Sequence, residues 1–177
     1  ATRVQPTSGI AHALELSGRN RELLRAVASF AHVDDLVHVH QLVGSNATRW
    51  MYMRNDSAAN YGSELGALCA KPSLKEGCSQ AVRATSLDDF FDRHIGADTP
   101  VYQVLIDTEG WDGLVIEGMR RSLSARRVSL LSFEYTYKGF WSTPATADCR
   151  SLATLLSWLW RAGYTCFWQG RRHLVPA

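Results

Sequence analysis

Three carboxylates stand within six residues in Asp107-Thr108-Glu109-Gly110-Trp111-Asp112. They follow a short apolar run, Tyr102 to Ile106, that reads as a buried strand. Carboxylates so crowded at a strand's carboxyl end repel one another unless a positive or hydrogen-bonding group lies close. The repulsion raises one pKa and can supply a general base. The same oxygens can ligate a divalent metal. A plainer reading is that acids gather where the next helix starts, facing the positive end of its dipole.

Other side chains carry weaker signals. Glu15 ends a short apolar segment, Ile10–Glu15, just before a helix. An acid there can accept hydrogen bonds from the ribose hydroxyls of a nucleoside, or can cap the helix. His38 and His40 lie two apart in a strand and share one face. Two imidazoles there can chelate a metal. A half-exposed edge strand with Val37 and Val39 buried accounts for them as well, since no third ligand stands at a recognisable spacing. Arg120, Arg121, Arg126 and Arg127 cluster near a helix end and read as a solvated face. Trp158, Trp160 and Trp168 read as packing residues. Cys69, Cys78, Cys149 and Cys166 include no CxxC spacing, so free thiols are expected, with a Cys69–Cys78 pair as the alternative in an oxidising compartment. Asn46-Ala47-Thr48 and Asn55-Asp56-Ser57 fit the glycosylation tripeptide, which arises easily by chance. GxGxxG, GxxxxGK[ST] and GxSxG are absent.

The elements that must hold these groups alternate. Helical spacing predicts a helix over Asn20–Ala31, with Leu23, Leu24, Val27, Ala28 and Ala31 on its apolar side. Leu36–Val43 is the clearest early strand. Trp50 and Tyr52 suggest a short strand before a long loop, and Gln80–Thr85 another. Ser86 caps a helix that carries Asp88 and Asp89 in its first turn and runs to His94. Beyond Tyr102–Ile106 come a helix at Gly113–Leu123, a strand at Val128–Tyr135 and a helix at Cys149–Ala162 ended by Gly163. Tyr164–Trp168 and His173–Val175 close as a hairpin. This order predicts an α/β fold with a mostly parallel sheet, whose ligands sit at the strands' carboxyl ends.

Composition agrees with one domain over residues 1–177: 46% hydrophobic and 20% charged residues suit a folded core. A net charge of +2 is too small for a general nucleic-acid binder, so no nucleic-acid partner is expected. No apolar run reaches the roughly 20 residues of a membrane helix, and the first thirty residues lack the layout of a leader peptide. The expected compartment is the cytoplasm, with the secretory-pathway lumen as the alternative. The chain starts at Ala1 without a Met and is expected to be a processed chain or a piece of a longer one.

Val104-Leu-Ile-Asp-Thr-Glu-Gly-Trp-Asp112, followed by Val115-Ile-Glu-Gly118, resembles the FkbM family of S-adenosylmethionine-dependent methyltransferases. Its other landmarks fall in order along nearly the whole chain. Ser86-Leu87-Asp88-Asp89-Phe90 resembles the family's Thr-Leu-Asp-Asp segment, and Phe133-Glu134-Tyr135 its Phe-Glu strand end. Leu152 through Gly163-Tyr164 resembles its closing helix and Gly-Tyr strand start, and Glu15 with Arg19–Leu24 its Glu-Pro segment and following helix. Leu16 stands where the family has Pro, and no glycine-rich first strand and turn precede Glu15.

The resemblance implies a Rossmann-like class I methyltransferase sheet with a C-terminal antiparallel hairpin, incomplete at its N-terminus. It implies S-adenosylmethionine as cofactor and methyl transfer to a hydroxyl of a sugar or other small-molecule or glycan acceptor. By position, Glu15 would bind the ribose, and Leu42, Val43 and Gly44 would surround the adenine. Asp107 would lie nearest the transferring methyl, with Glu109 or Glu134 as base or substrate anchor. A methyltransferase-like binding module without cofactor is the alternative. A metal-dependent hydrolase built on the carboxylates ranks last, because no His joins them at a recognisable spacing.

Overall fold

A computed structural model describes residues 9–54, 68–69, 71–73, 77–108, 110–136, 141, 151–170 and 173–177. The chain opens with a parallel strand–helix–strand unit. Strand β1 (Ala11–Leu14) leads into α1 (Gly18–Phe30), and a 3-10 turn at Asp34–Leu36 leads into β2 (Val37–His40). Ser17 starts α1 because its hydroxyl accepts the Asn20 N–H at 3.3 Å. The apolar side predicted for α1 is mostly uncovered: Leu23, Leu24 and Val27 are exposed and Ala28 alone is buried.

The strand predicted over Leu36–Val43 is broken at Gln41 into β2 and β3 (Leu42–Ser45). Strand β2 pairs with β1, whereas β3 pairs with β6 (Cys78–Ser86), both in parallel. Strand β4 (Arg49–Arg54) runs antiparallel on the other side of β6, and β5 (Leu68–Cys69) antiparallel on β4. The predicted alternation at Trp50 and Tyr52 is thus a real strand.

Ser86 caps α2 (Leu87–His94) as expected, accepting the Asp89 N–H at 3.1 Å. Hydrogen bonds from Thr48 and Ser86 hold the Asp89 carboxyl below its ordinary range. Asp88 does something the sequence does not announce. Its carboxylate accepts the Arg121 N–H and the Ser122 N–H, each at 2.9 Å, and the Ser122 hydroxyl at 2.5 Å. It therefore caps a different helix, α4 (Arg120–Ser124), whose own N-cap position, Met119, provides no side-chain acceptor.

The single helix predicted over Gly113–Leu123 is two helices, α3 (Asp112–Glu117) and α4, separated at Gly118–Met119. Gly118 lies against the end of β3, where a Cβ would sit 1.9 Å from the Ser45 carbonyl oxygen. Strand β7 (Val101–Ile106) precedes these helices, and β8 (Val128–Phe133) follows them and pairs with β7 in parallel. Helix α5 (Leu152–Arg161) is capped by Ser151 and buries Leu155 and Leu159. Gly163 ends it with φ +92°. Strands β9 (Phe167–Gln169) and β10 (Leu174–Pro176) form the expected antiparallel hairpin.

One core joins these pieces. Phe90, Phe91, Ile106, Ile116, Met119, Leu123, Val128, Leu155 and Leu159 are buried together, with Leu14 and Leu42 packed against them. The α/β class stands. The expected single sheet does not: among the described residues β1 is bonded only to β2, and β7 only to β8. The break at Gln41 sends β2 and β3 to different partners, and the ladders do not trace a Rossmann-like order. No described helix is long and apolar enough to cross a membrane.

Two further expectations are corrected. Cys78 is disulfide-bonded and fully buried, while Cys166 is free, so the partner is Cys69 or Cys149, whose side chains lie outside the described residues. The basic cluster is solvent-exposed at Arg120, Arg121 and Arg126, as expected, but its side chains are engaged, and Arg127 is half-buried. Arg126 donates to the Ala162 carbonyl at 3.1 Å, and Arg127 to the carbonyls of Thr99 (2.8 Å) and Gly96 while stacking on Phe91. Arg120 lies over Trp158, and Arg121 pairs with Asp92 at 2.6 Å. Trp158 packs on the core, but Trp160 and Trp168 are exposed.

Gly118→Ala should destabilise the fold by about 1–3 kcal/mol, because backbone and not a flexible side chain blocks the new methyl. Urea unfolding would measure this; a midpoint equal to that of the unchanged chain would mean that α3 can back away from β3 freely.

Candidate functional site

Parallel pairing of Ile106 with Phe133 brings Asp107 and Glu134 to neighbouring positions beyond the carboxyl ends of β7 and β8. Both residues are exposed. The chain turns back after Asp107 through Thr108–Trp111, where the Trp111 N–H meets the Thr108 carbonyl at 3.3 Å. Gly110 is buried there with φ +95°, a conformation that a side chain would oppose.

Asp112, the third carboxylate of the motif, is fully buried. One of its oxygens accepts the Thr108 hydroxyl at 2.8 Å and the Thr108 N–H at 3.4 Å. The other accepts the backbone N–H of Glu134 at 2.9 Å. Asp112 thus braces the ends of β7 and β8 against each other. The predicted trio of mutually repelling acids is reduced accordingly: Asp112 faces N–H and O–H donors. Glu109 lies outside the described residues.

An aromatic group borders Glu134. Trp141 is stacked on Phe133 with ring centroids 6.3 Å apart and meets the Tyr135 ring edge-on at 5.2 Å. Tyr135 is exposed. The sequence shows these residues only as a strand end and a loop tryptophan; their convergence depends on the path of the loop between them.

Glu15 is placed at the end of β1, where its N–H bonds to the His40 carbonyl at 3.0 Å. Its carboxylate folds onto the start of α1. One oxygen accepts the Ser17 N–H at 2.6 Å and the other the Asn20 side-chain amide at 3.2 Å. The capping role weighed from the sequence is therefore present. Leu42, Val43 and Gly44 lie in β3 opposite Arg83, Ala84 and Thr85. Leu42 packs on the core, and the bare face of Gly44 abuts Val115, 2.9 Å from where a Cβ would stand. The next residue, Ser45, is 1% exposed, and its hydroxyl has no partner among the described residues. Its position at the carboxyl end of a predicted strand already marks it in the sequence as a residue near a ligand.

The structure therefore brings Asp107, Glu134, Tyr135 and Trp141 to one end of the β7–β8 pair. No hydrogen bond or ion pair shown among the described residues ties that group to Glu15 or to Leu42–Gly44. The two regions share the core, through Leu14 before Glu15 and Ile106 before Asp107. Among the described residues no group of three or more His, Cys, Asp or Glu is placed to hold a metal ion.

Against known proteins, a family model described as the Methyltransferase FkbM domain matches residues 5–166. No curated protein and no solved structure matches the chain.

Asp112→Ala should cost about 3 kcal/mol, since it strands the Glu134 N–H and the Thr108 hydroxyl in a buried place. Asp112→Asn keeps one acceptor oxygen and should cost less. Denaturant titration of both variants gives the comparison; equal stability of Ala, Asn and Asp forms would deny the brace any energetic weight.

Proposed function

Since the chain belongs to the FkbM methyltransferase family, we propose that it moves a methyl group from S-adenosylmethionine to a hydroxyl of a sugar or other small or glycan-type acceptor. The carrying observation is the pair of exposed carboxylates, Asp107 and Glu134, side by side at the ends of two parallel strands and fixed there by buried Asp112.

When bound, S-adenosylmethionine supplies a methyl group on a positively charged sulfur. Transfer is an in-line displacement: the acceptor's oxygen forms the new bond to carbon as the carbon–sulfur bond breaks, S-adenosylhomocysteine leaves, and the hydroxyl proton needs a base. Asp107 would stand nearest the reacting carbon, where its charge favours the cationic donor. Glu134 or Glu109 would take the proton or anchor the acceptor. Tyr135 and Trp141 offer π-faces to a sugar ring of the acceptor.

The cofactor's chemistry fits this donor set. Its ribose hydroxyls need acceptors, which the half-buried Glu15 carboxylate can supply. The unpartnered Ser45 hydroxyl is a further buried polar group beside the proposed adenine positions Leu42–Gly44. The resemblance sets a glycine-rich strand and turn ahead of Glu15; the described residues supply neither. The disulfide at Cys78 supports an oxidising compartment over the cytoplasm.

A second reading, a cofactor-free binding module, is favoured by one observation: both Glu15 oxygens are already engaged by Ser17 and Asn20. Calorimetric titration with S-adenosylmethionine and S-adenosylhomocysteine separates the two readings. Both this chain and a longer one carrying residues ahead of Ala1 should be titrated. The methyltransferase reading expects saturable binding by one of them. It also expects Asp107→Asn to fold normally yet lose on the order of 10²-fold or more in transfer. Tyr135→Ala should raise the acceptor's KM while leaving cofactor binding intact. Acceptor binding with no cofactor affinity in either chain would establish the module instead, and undiminished transfer by Asp107→Asn would remove that residue from the reaction.

A further inference from the structure

Away from the carboxylates, four of the chain's six histidines meet at one seam. The parallel register sets His12 opposite His38 and Leu14 opposite His40, so His12, His38 and His40 share a face of the β1–β2 pair. Helix α2 covers that face with Phe90 and His94. The His12 and His40 rings stack at 5.3 Å, with His12 Nδ1 and His40 Nε2 3.0 Å apart. His40 meets His94 at 4.9 Å and His12 meets His38 at 5.1 Å. Phe90, 2% exposed, touches His12, His40 and His94 with its ring. The half-exposed edge strand expected from the sequence is present, since β2 pairs only with β1 among the described residues and His38 is exposed, but His12 and His40 are half-buried against α2. The remaining histidines, His32 and His173, are exposed.

Among the described residues the seam brings no counter-charge. On α2, Asp88 is turned to Arg121 and Ser122, Asp89 to Thr48, and Asp92 to Arg121 and Arg127. Glu15, next after β1, is held by Ser17 and Asn20. The nearby elements also carry Arg93 on α2, Asp34 and Asp35 in the 3-10 turn, and Arg19, Arg21, Glu22 and Arg25 on α1, which packs on β2. None of these acts on the two inner rings. The charges bearing on His12 are His38 and His94, and those on His40 are His94, His12 and His38.

We propose that this imidazole cluster is a proton-sensitive latch: its uncharged rings hold the β1–β2 pair on α2 at neutral pH, and acidification releases that pair. The geometry supplies the mechanism. At 3.0 Å, one of His12 Nδ1 and His40 Nε2 donates while the other accepts. Two imidazolium rings would set two N–H groups face to face, with two like charges and no carboxylate among the described residues to answer them. Burial first, and the neighbouring imidazoles second, hold both rings below the ordinary histidine value. The sign follows. The unfolded or released strands take up protons near pH 6.5, before the packed ones do, so stability is full above that range and falls as pH drops through it.

Thermal unfolding of the whole chain between pH 7.5 and 5.5, without cofactor, tests this. The melting temperature should fall on the order of 5 °C, and the double variant His12→Gln, His40→Gln should lose most of that dependence. His94→Gln, at the exposed rim, should blunt it even if the double variant folds poorly. Hydrogen exchange, corrected for intrinsic rates, should show the Glu15 amide losing protection at pH 5.5 while β7–β8 amides keep theirs. An unchanged pH slope in the histidine variants, or equal loss of protection in both strand pairs, overturns the latch.

Discussion

Everything at the candidate site hangs on the buried carboxylate of Asp112. Strand ends have loose backbone groups, and a parallel pair is joined by no tight turn that would fix them. By accepting from Thr108 and from the Glu134 backbone, one side chain ties the end of β7 to the end of β8. Burying it is tolerable because its oxygens meet hydrogen-bond donors. The division of labour among the motif's acids follows: Asp112 is spent on architecture, which leaves Asp107 and Glu134 exposed and held at a set spacing.

Small residues play the matching part on the other side of α3. Gly118 lets the Ser45 carbonyl approach, and Gly44 accepts Val115. Together they draw β3 and α3 into contact, so the strand carrying the proposed adenine residues and the helix following the carboxylate motif rest on each other. The fold thereby makes the two halves of the proposed pocket mechanical neighbours, and just beyond β3 the Asn46 side chain donates to Glu117 of α3 at 3.4 Å.

The legible parts of this chain were those where one local signal sufficed. Ser86 as a cap, the apolar run ending at Ile106, Gly163 as a stop and the closing hairpin all rest on contacts within a few residues, and the structure has them. The family was legible too, because its central motif is a contiguous run. What local patterns could not show were choices made across the fold. Gln41 breaks a strand whose halves find different partners, which no alternation of Val and His reveals. Asp112 reads as an ordinary first-turn acid until Glu134 arrives from another strand. The arginines look solvated because the carbonyls that capture Arg126 and Arg127 lie some thirty residues away.

The Asp88 cap carries a consequence for how the molecule opens. Helix α4 has five residues, too few to persist by itself, and the acceptor for its first N–H groups belongs to α2. Any fluctuation that lifts α2 from the core must uncap α4 in the same event, and with it the approach to β8. The two helices form one cooperative unit spanning both halves of the chain.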